Sequence, residues 1–536
     1  MFNRKQKIFE EFRRTWGHFV DRNRDFDRIA LFHQLARDRD AAESIDERTS
    51  VDLDLADCFT RMDRATTPLG SQYLYHLLHT YQSDDRALTQ LTKLYEVFQH
   101  DTSFRESTQL ELAQLSNQNA YFLPNVFLRD VPDRPKWYAV IYALSALSLV
   151  SLALTFFYPM ALWLTLGIIL VNLVLDHQYG NRLAGFFIDL STLGDLLRVA
   201  GQLSRQKTPN NLAPFEWLRN NQALIRSLQK RIGWLIINEG GLDVLTGAVV
   251  QYLNQFCLFR LVAWMRVNDS IKQHQPEIRQ IFEAVATLDA CIAVASYLHE
   301  TQEFCIPEFN RSGLVDFVSV RHPLVSNPIP NSITLNRKSC LITGSNMAGK
   351  TTFVKALGVN VILAQTLHFC LASRVNIPRL VVKSSIDRLE DISSHKSRYF
   401  DEIETILRMI NANHTSWRYF FIIDEIFSGT NTVERISAAA SVLHVLGRNN
   451  LTVVTTHDVE LHGLLTGEYE MYHFAEQVIG DKQSFDYLLK PGLCSTRNAI
   501  KLLELEGYPK EIIGQANRLA DKISSAVDPT RIGKVH

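Results

Sequence analysis

The stretch WYAVIYALSALSLVSLALTFFYPMALWLTLGIILVNLVL, from Trp137 to Leu175, carries no charged side chain. A helix in the core of a soluble protein keeps a polar face somewhere along its length, and this stretch offers none. Trp137 to Phe157 amounts to about 21 residues, roughly 31 Å as a helix, which matches the hydrocarbon thickness of a bilayer. Tyr158-Pro159 would break that helix. Met160 to Leu175 could return as a second arm of about 24 Å, short enough to need local thinning or help from its flanks. Arg129, Arg134 and Lys136 precede the stretch, His177 and Arg182 follow it, and the turn is uncharged. The positive-inside rule then places both ends in the cytoplasm. The expectation is a transmembrane helical hairpin in the inner (cytoplasmic) membrane, the alternative being a buried hairpin in a large core. A second apolar patch, Leu242–Met265, is interrupted by Asp243, Gln251, Asn254 and Arg260. It reads as a buried or membrane-apposed helix rather than a third span.

A chain of 536 residues is long enough for about two to four domains. Hydrophobic content of 46% and charged content of 21% exclude a disordered chain. A formal net charge of −1 gives no global attraction to nucleic acid, so any DNA contact requires a local basic surface. The cysteines (Cys58, Cys257, Cys291, Cys305, Cys340, Cys370, Cys494) are scattered without a CxxC, as expected of buried thiols in a reducing compartment. The start, MFNRKQKIFEEFRRTW, has no apolar core and does not read as a cleavable signal peptide.

Residues 1 to about 130 read helical, with Leu77, Leu78, Leu88, Leu91 and Leu94 at helical spacing. From about 178 to 305 the pattern is helical again. There Ile278, Ile281, Phe282, Val285, Leu288 and Ile292 form one stripe that starts after Pro276. Near residue 306 the texture turns to turn formers and short β-branched runs, which marks a boundary. Beyond it strand-like runs (CLIT, YFFIID, LTVVTT) alternate with helices expected from Lys350 and from Val433, the signature of a parallel α/β sheet. The domains read as a helical 1–130, a transmembrane hairpin 131–178, a helical lever 179–305, a P-loop ATPase domain 306–490 and a C-terminal helical element 491–536.

Gly344-Ser345-Asn346-Met347-Ala348-Gly349-Lys350-Thr351 fits G-x-x-x-x-G-K-[ST], after an apolar strand and opening a helix. The glycines let backbone N–H groups curl round phosphates, and the helix N-terminus adds positive potential. In this pattern Lys350 reaches the β/γ-phosphates of ATP and Thr351 holds Mg²⁺, with Thr352 next in the loop-helix junction. Tyr419 to Glu425 is an apolar strand ending in two carboxylates. Asp424 can hold Mg²⁺, and Glu425 can orient or deprotonate the attacking water. A third strand, Leu451–Thr456, delivers His457 to the same sheet edge, where it could sense the γ-phosphate. Strand–loop–helix, strand-Asp-Glu and strand-Thr-Thr-His in that order predict a hydrolysing ATPase.

GSNMAGKTT resembles the phosphate loop of the MutS mismatch-repair ATPases, whose Asn-Met pair before Gly-Lys is distinctive. Arg321-His322-Pro323-Leu324-Val325 is similar to the family's segment before that loop. Glu390 to Phe400 resembles its signature segment, and DEIFSGTNT (Asp424–Thr432) its Walker B element with the following loop. Gly492 to Leu519, ending GYPKEIIGQANRL, looks like the C-terminal helical dimerisation element, and Thr66 to Ser71 like the start of the helical core domain. The resemblance covers roughly residues 50–130 weakly and 275–520 well.

It implies a homodimer with composite sites, in which Ser397 completes the partner's γ-phosphate pocket and closure moves helical levers. His395 and Arg398 stand where the family carries a small residue and Thr, and Ser428 where a basic residue is usual. The family's mismatch-reading and connector domains, a Phe-x-Glu wedge, the DNA clamp and a nuclease-like extension are not visible. Two functions remain in competition. One is a membrane-tethered MutS-like ATPase that engages DNA, with RNRDFDR (Arg22–Arg28) or RSLQKR (Arg226–Arg231) as phosphate contacts, unless those runs are simply solvated helix faces. The other is a nucleotide-switched membrane protein acting on a protein partner without DNA. An ABC transporter is disfavoured, because no LSGGQ-like segment is present and two short spans make a poor pathway.

Overall fold

The computed structural model describes residues 2–40, 42–131, 133, 137–209, 211–233, 256–344, 348–386, 398–412, 417–427, 431–479, 482–493 and 507–526. The chain divides into two compact units. A helical unit comprises Met1–Ala42, Phe59–His79 and Thr89–Thr301, and an α/β unit comprises Glu43–Cys58, Thr80–Leu88 and Gln302–His536.

In the helical unit the elements that matter below are α1 (Pro68–His79), α2 (Tyr138–Thr155), α3 (Ala161–Leu175), α4 (Asn181–Leu203), α5 (Gln222–Gly233), α6 (Phe259–Gln273) and α7 (Gln275–Thr301). Helix α7 is the spine of the unit. Its expected stripe from Ile278 to Ile292 is buried, and so is nearly every residue from Ala284 to Leu298. Within it lies Asp289, fully buried, which accepts hydrogen bonds from Thr66 N (3.0 Å), Thr67 N (2.7 Å) and Thr67 Oγ1 (2.7 Å). Thr67 Oγ1 in turn accepts from Gly70 N at 3.0 Å, so the carboxylate holds, from across the core, the residue that caps the start of α1. Gly70 makes the approach possible, because a Cβ there would lie 2.3 Å from Asp289 Oδ2. Asp63 plays a similar part. Its buried carboxylate takes Arg22 Nη2 at 2.6 Å, Arg24 Nε at 3.1 Å and Ser71 Oγ at 2.9 Å.

Helices α2 and α3 form the hairpin expected from the uncharged stretch, with the chain reversing over residues 156–160. It is built inside out. Ser148, Ser151, Thr165 and Asn172 are buried, whereas Leu149, Val150, Phe156, Trp163 and Leu170 are exposed. Asn172 Nδ2 donates to Ser148 Oγ (2.9 Å) and to the Phe256 carbonyl (2.6 Å). The return arm is not the short one expected. A π-helical turn, Asp176–Gly180, joins α3 to α4, so the apolar helix from Ala161 to Gln178 has 18 residues, as many as α2. Part of the second apolar patch is also described: Leu258, Leu261, Trp264 and Met265 cluster with Ile141 at the base of the hairpin. Residues 242–255 of that patch lie outside the described residues.

The α/β unit contains ten described strands in two sheets. The turn-rich stretch after residue 306 supplies β1 (Glu308–Phe309), β2 (Leu314–Val320) and β3 (Asn331–Asn336), which with β5 (Arg374–Ile377) make a mixed sheet of order β1-β5-β2-β3. The single parallel sheet expected from sequence is therefore accompanied by a second sheet with antiparallel pairs, β2 with β3 and β2 with β5. The larger sheet has order β10-β9-β4-β8-β7-β6, from β4 (Ser339–Thr343), β6 (Leu380–Ser385), β7 (Arg418–Asp424), β8 (Leu451–Thr456), β9 (Tyr469–Ile479) and β10 (Lys482–Pro491). All its pairs are parallel except β9 with β10. Strands β4, β7 and β8 are buried on both faces, as a parallel sheet covered by helices requires. Its helices include α8 (Lys350–Thr366), α9 (Arg398–Ile410), α10 (Thr432–Gly447) and α11 (Lys510–Ala526).

Residues 43–58, which the sequence groups with the first helical region, are part of this α/β unit. Their short helix Glu47–Asp52 is capped by Asp46, which accepts from Thr49 N at 2.9 Å and pairs with Lys383 at 2.9 Å. Asp52 accepts from Ser384 Oγ (2.9 Å) and Ile386 N (3.1 Å), and Asp54 pairs with Lys355 of α8 at 2.6 Å. Of the described cysteines all are free thiols, and only Cys305 is not buried.

Candidate active site

The order of the large sheet decides which loops meet. β8 lies between β4 and β7, with Thr343 opposite Thr456 and Asp424 opposite Thr455. The carboxyl ends of three parallel strands therefore open side by side, where open α/β sheets bind their ligands. The loop after β4 leads into α8, the strand end of β7 carries Asp424-Glu425, and the strand end of β8 carries His457.

Gly349 sits at the N-terminus of α8 with φ 95°, a left-handed conformation that glycine adopts without a steric penalty. Lys350, the next residue, is 1% exposed despite its charge. Its Nζ donates to the Gly344 carbonyl across the loop and lies 3.2 Å from His457 Nε2. His457 Nε2 is in turn 2.9 Å from Glu425 Oε1. Beside this run Thr351 Oγ1 donates to Asp424 Oδ2 at 2.7 Å, and Thr455 Oγ1 donates to Asp424 Oδ1. Arg435 of α10 grips Asp458, the residue after His457, through two bonds of 2.9 and 2.7 Å.

Of the residues expected to act, Lys350, Thr351, Asp424, Glu425 and His457 are brought together. Gly344, Ala348, Gly349 and Thr352 line the same loop. Ser345, Asn346, Met347, His395, Ser397 and Ser428 lie outside the described residues, and Arg398 is described only as the first residue of α9. Thr455 is an addition. Its hydroxyl holds Asp424, while its carbonyl and hydroxyl both accept from Glu425 N at 3.2 Å. The Thr-Thr-His stretch was visible in the sequence, but the clamp depends on the β7–β8 register.

The donor set suits a small hard cation. A hydroxyl and a carboxylate 2.7 Å apart at a strand end can supply two oxygens to Mg²⁺, which takes its remaining ligands from phosphates and water. No cluster of three or more His, Cys, Asp or Glu able to hold a metal occurs among the described residues, and such a nucleotide-linked Mg²⁺ needs none.

A cavity of about 450 Å³ adjoins the loop, with Gly349, Thr352, Ile329, Phe474 and Tyr487 among its lining residues. Its size and largely apolar walls fit a purine nucleoside. Tyr487 is placed by a register shift in β10. There Asn331 donates to the Tyr487 carbonyl (2.9 Å) and accepts from Leu489 N (2.7 Å). Nothing local in the sequence foretold this clamp.

A glycine-lysine loop opening a helix, an acidic strand end and a strand-end histidine on adjacent parallel strands define a P-loop ATPase domain. Residues 340–524 match the family model MutS domain V, an ABC-type P-loop ATPase, so the chain carries an ATPase domain of that kind. Among similar proteins are three described as DNA mismatch repair protein MutS. That of Lachnoclostridium phytofermentans is 28% identical over 48% of this chain and 29% of its own length. That of Desulforapulum autotrophicum is 27% identical over 65% of this chain and 38% of its own. That of Carboxydothermus hydrogenoformans is 28% identical over 63% and 38%. The chain thus spans about a third of the length of the curated relatives it matches.

Proposed function

We propose that this chain is a MutS-like ATPase that closes as a homodimer around ATP and Mg²⁺ while anchored in the inner membrane, with its ATPase domain in the cytoplasm. The observation that carries the ATPase reading is the run of contacts from Lys350 through His457 to Glu425, beside the Thr351–Asp424 pair. Residues Gly344 to Thr352 wrap the phosphates, and Lys350 neutralises the β/γ oxygens. Mg²⁺, held by Thr351 and Asp424, supplies further charge neutralisation there. Glu425 takes the proton of the attacking water. His457 keeps that carboxylate oriented and contacts the γ-phosphate. The cavity beside Gly349 takes the nucleoside. Ser397 of a second copy completes the γ-phosphate pocket, since MutS-family proteins dimerise through their ATPase domains.

The membrane reading is supported by the outward apolar face and hidden polar seam of α2–α3, and by two arms of 18 residues, about 27 Å each. DNA engagement is favoured by the similarity to mismatch-repair proteins and by Arg226, Lys230 and Arg231, which are exposed on α5. The second reading, action on a protein partner without DNA, is favoured by the other basic run. Arg22 and Arg24 are held by Asp63, and Arg28 pairs with Asp25, so these guanidinium groups are engaged within their own unit.

The test is ATP turnover of the detergent-solubilised chain, with Lys350→Ala as the blank, with and without homoduplex, mismatched and branched DNA at low and moderate salt. Turnover above the blank supports the ATPase reading, and stimulation by DNA that fades with salt supports the first function. Turnover indifferent to every DNA favours the second, and turnover equal to the blank removes the ATPase reading.

A further inference from the structure

Glu425 opens a turn that is gripped from two sides. Glu425 has φ 57° and Phe427 φ 60°, and neither is glycine. Such left-handed backbone is strained for a residue with a Cβ and persists only where the surroundings over-determine it. On one side the surroundings are Thr455, which accepts twice from Glu425 N. On the other side they are residues of α9. Phe427 N donates to Glu402 Oε1, and the buried Phe427 ring meets Tyr399 edge-on at a centroid distance of 6.2 Å. One residue before Glu402, α9 is tied to the short helix Glu47–Asp52, where Arg48 Nη1 donates to Asp401 Oδ2 at 2.6 Å.

We propose that Glu402 and Phe427 are positioning residues for Glu425, a latch through which the first turn of α9 sets the direction of the carboxylate. The inference rests on the reading of Glu425 as the base that takes the water's proton. The Phe427 ring explains why this position carries an aromatic residue in a conformation that favours glycine, since its burial against Tyr399 offsets the backbone cost. What Glu402 supplies is a lone pair for the Phe427 N–H, which a glutamine carbonyl also offers. The latch therefore needs an acceptor at position 402 and not a charge. It acts on the geometry of proton transfer and leaves nucleotide binding alone. Because Arg48 holds the same turn of α9, hydrolysis answers to the placement of Glu47–Asp52 as well.

The experiment measures kcat and the affinity for a fluorescent ATP analogue in the full chain carrying Glu402→Ala, Glu402→Gln, Phe427→Gly or Glu425→Gln. Misplacing a reacting group by an ångström costs up to about 100-fold. Glu402→Ala is expected to lose about 10- to 100-fold in kcat with affinity unchanged, and Glu402→Gln to regain most of it. Phe427→Gly relieves the backbone yet loses the buried ring, so kcat falls and the thermal midpoint drops without loss of the fold. That variant also decides the matter if Glu402→Ala does not fold. Full kcat in Glu402→Ala or in a stable Phe427→Gly overturns the latch, as does a glutamine variant no better than alanine. Glu425→Gln separates the two ideas. If it binds ATP without turnover the base reading stands whatever the latch does, and if it turns over normally that reading falls first.

Discussion

Helices α2 and α7 are nearly the same material in opposite surroundings. In their most apolar 18-residue windows α2 and α7 have mean hydropathies of 1.9 and 1.6, yet 17% of the first window is buried within the protein and 83% of the second. The difference lies in where the polar atoms go. On α7, Asp289 holds Thr66 and Thr67 ahead of α1 and Ser296 Oγ accepts from Gly17 N at 3.0 Å, so the polar groups reach across the core to other segments. On α2 and α3 they turn toward each other, with Asn172 on Ser148, and the apolar side chains face outward. Composition measures how much apolar surface a helix has. The direction of its few polar groups tells which solvent covers that surface.

A single arginine should separate the two helices most sharply. Val285→Arg places an unpaired charge where the side chain is buried on α7. An uncompensated buried charge costs about 3–5 kcal/mol, comparable with the whole stability of many domains. The expected outcome is loss of the folded chain, read as loss of the thermal transition in detergent. The same substitution at Leu149, exposed on α2, leaves the fold intact, and equal unfolding of both variants would break the comparison.

Acid gives the next effect. Against α7 lie helices that bury His33 and His79 and half-bury His76, with His33 Nδ1 3.2 Å from His76 Nδ1. Burial pushes all three imidazoles down to about 4, helped at His33 by its neighbour His76. Unfolded histidines take up protons from about pH 6.5 downward, whereas the folded ones stay neutral until about pH 4. The stability is fully present above pH 6.5 and lost as the pH falls toward 4, by up to about 1.4 kcal/mol per pH unit for each histidine. The polar groups of the hairpin seam are uncharged hydroxyls and an amide. Denaturant midpoints between pH 7 and 4.5 should therefore fall for the helical core, while the helicity of an α2–α3 reporter stays level. A flat midpoint would mean the three rings are not buried neutral.

What could be read beforehand divides along the same physical line. The phosphate loop, the Asp424-Glu425 strand end and the start of α8 were legible because each is a contiguous pattern whose meaning is local. So was the uncharged stretch. The Thr455 clamp, the Asn331 hold on Tyr487 and the Glu402 contact were not, because each needs a register or a pairing between distant residues. Residues 43–58 are the plainest case. Their helix Glu47–Asp52 looks like any other short helix of the first region, and only Asp52 on Ser384 and Ile386 reveals that it belongs to the α/β unit. The return arm differs from its expected length for another reason. Charge resumes after Leu175, but the backbone stays helical through a π turn and into α4.

Leu149→Arg also tests the proposed membrane location of the hairpin. A charge at the lipid-facing centre of a spanning helix costs about 2.5–3.5 kcal/mol, roughly a 100-fold loss in partition. The variant should fold and turn over ATP in detergent yet float poorly with phospholipid vesicles. Flotation equal to the parent chain would mean that α2 does not lie in the bilayer core.

The smallest effect probes the seam itself. Asn172→Leu removes the amide that bonds Ser148 Oγ and the Phe256 carbonyl, and puts an apolar side chain of similar size in its place. In water such a swap inside a helical core usually stabilises or is neutral when both partners are replaced, but here the partners remain. Interhelical hydrogen bonds in membranes are worth about 0.6 kcal/mol on average and up to about 2. The expected loss is therefore about 1 kcal/mol, read as a modest fall in the thermal midpoint of the chain in lipid. A loss as large as that of Val285→Arg would place Asn172 in a water-covered core after all. Hairpin and spine would then differ in degree and not in solvent.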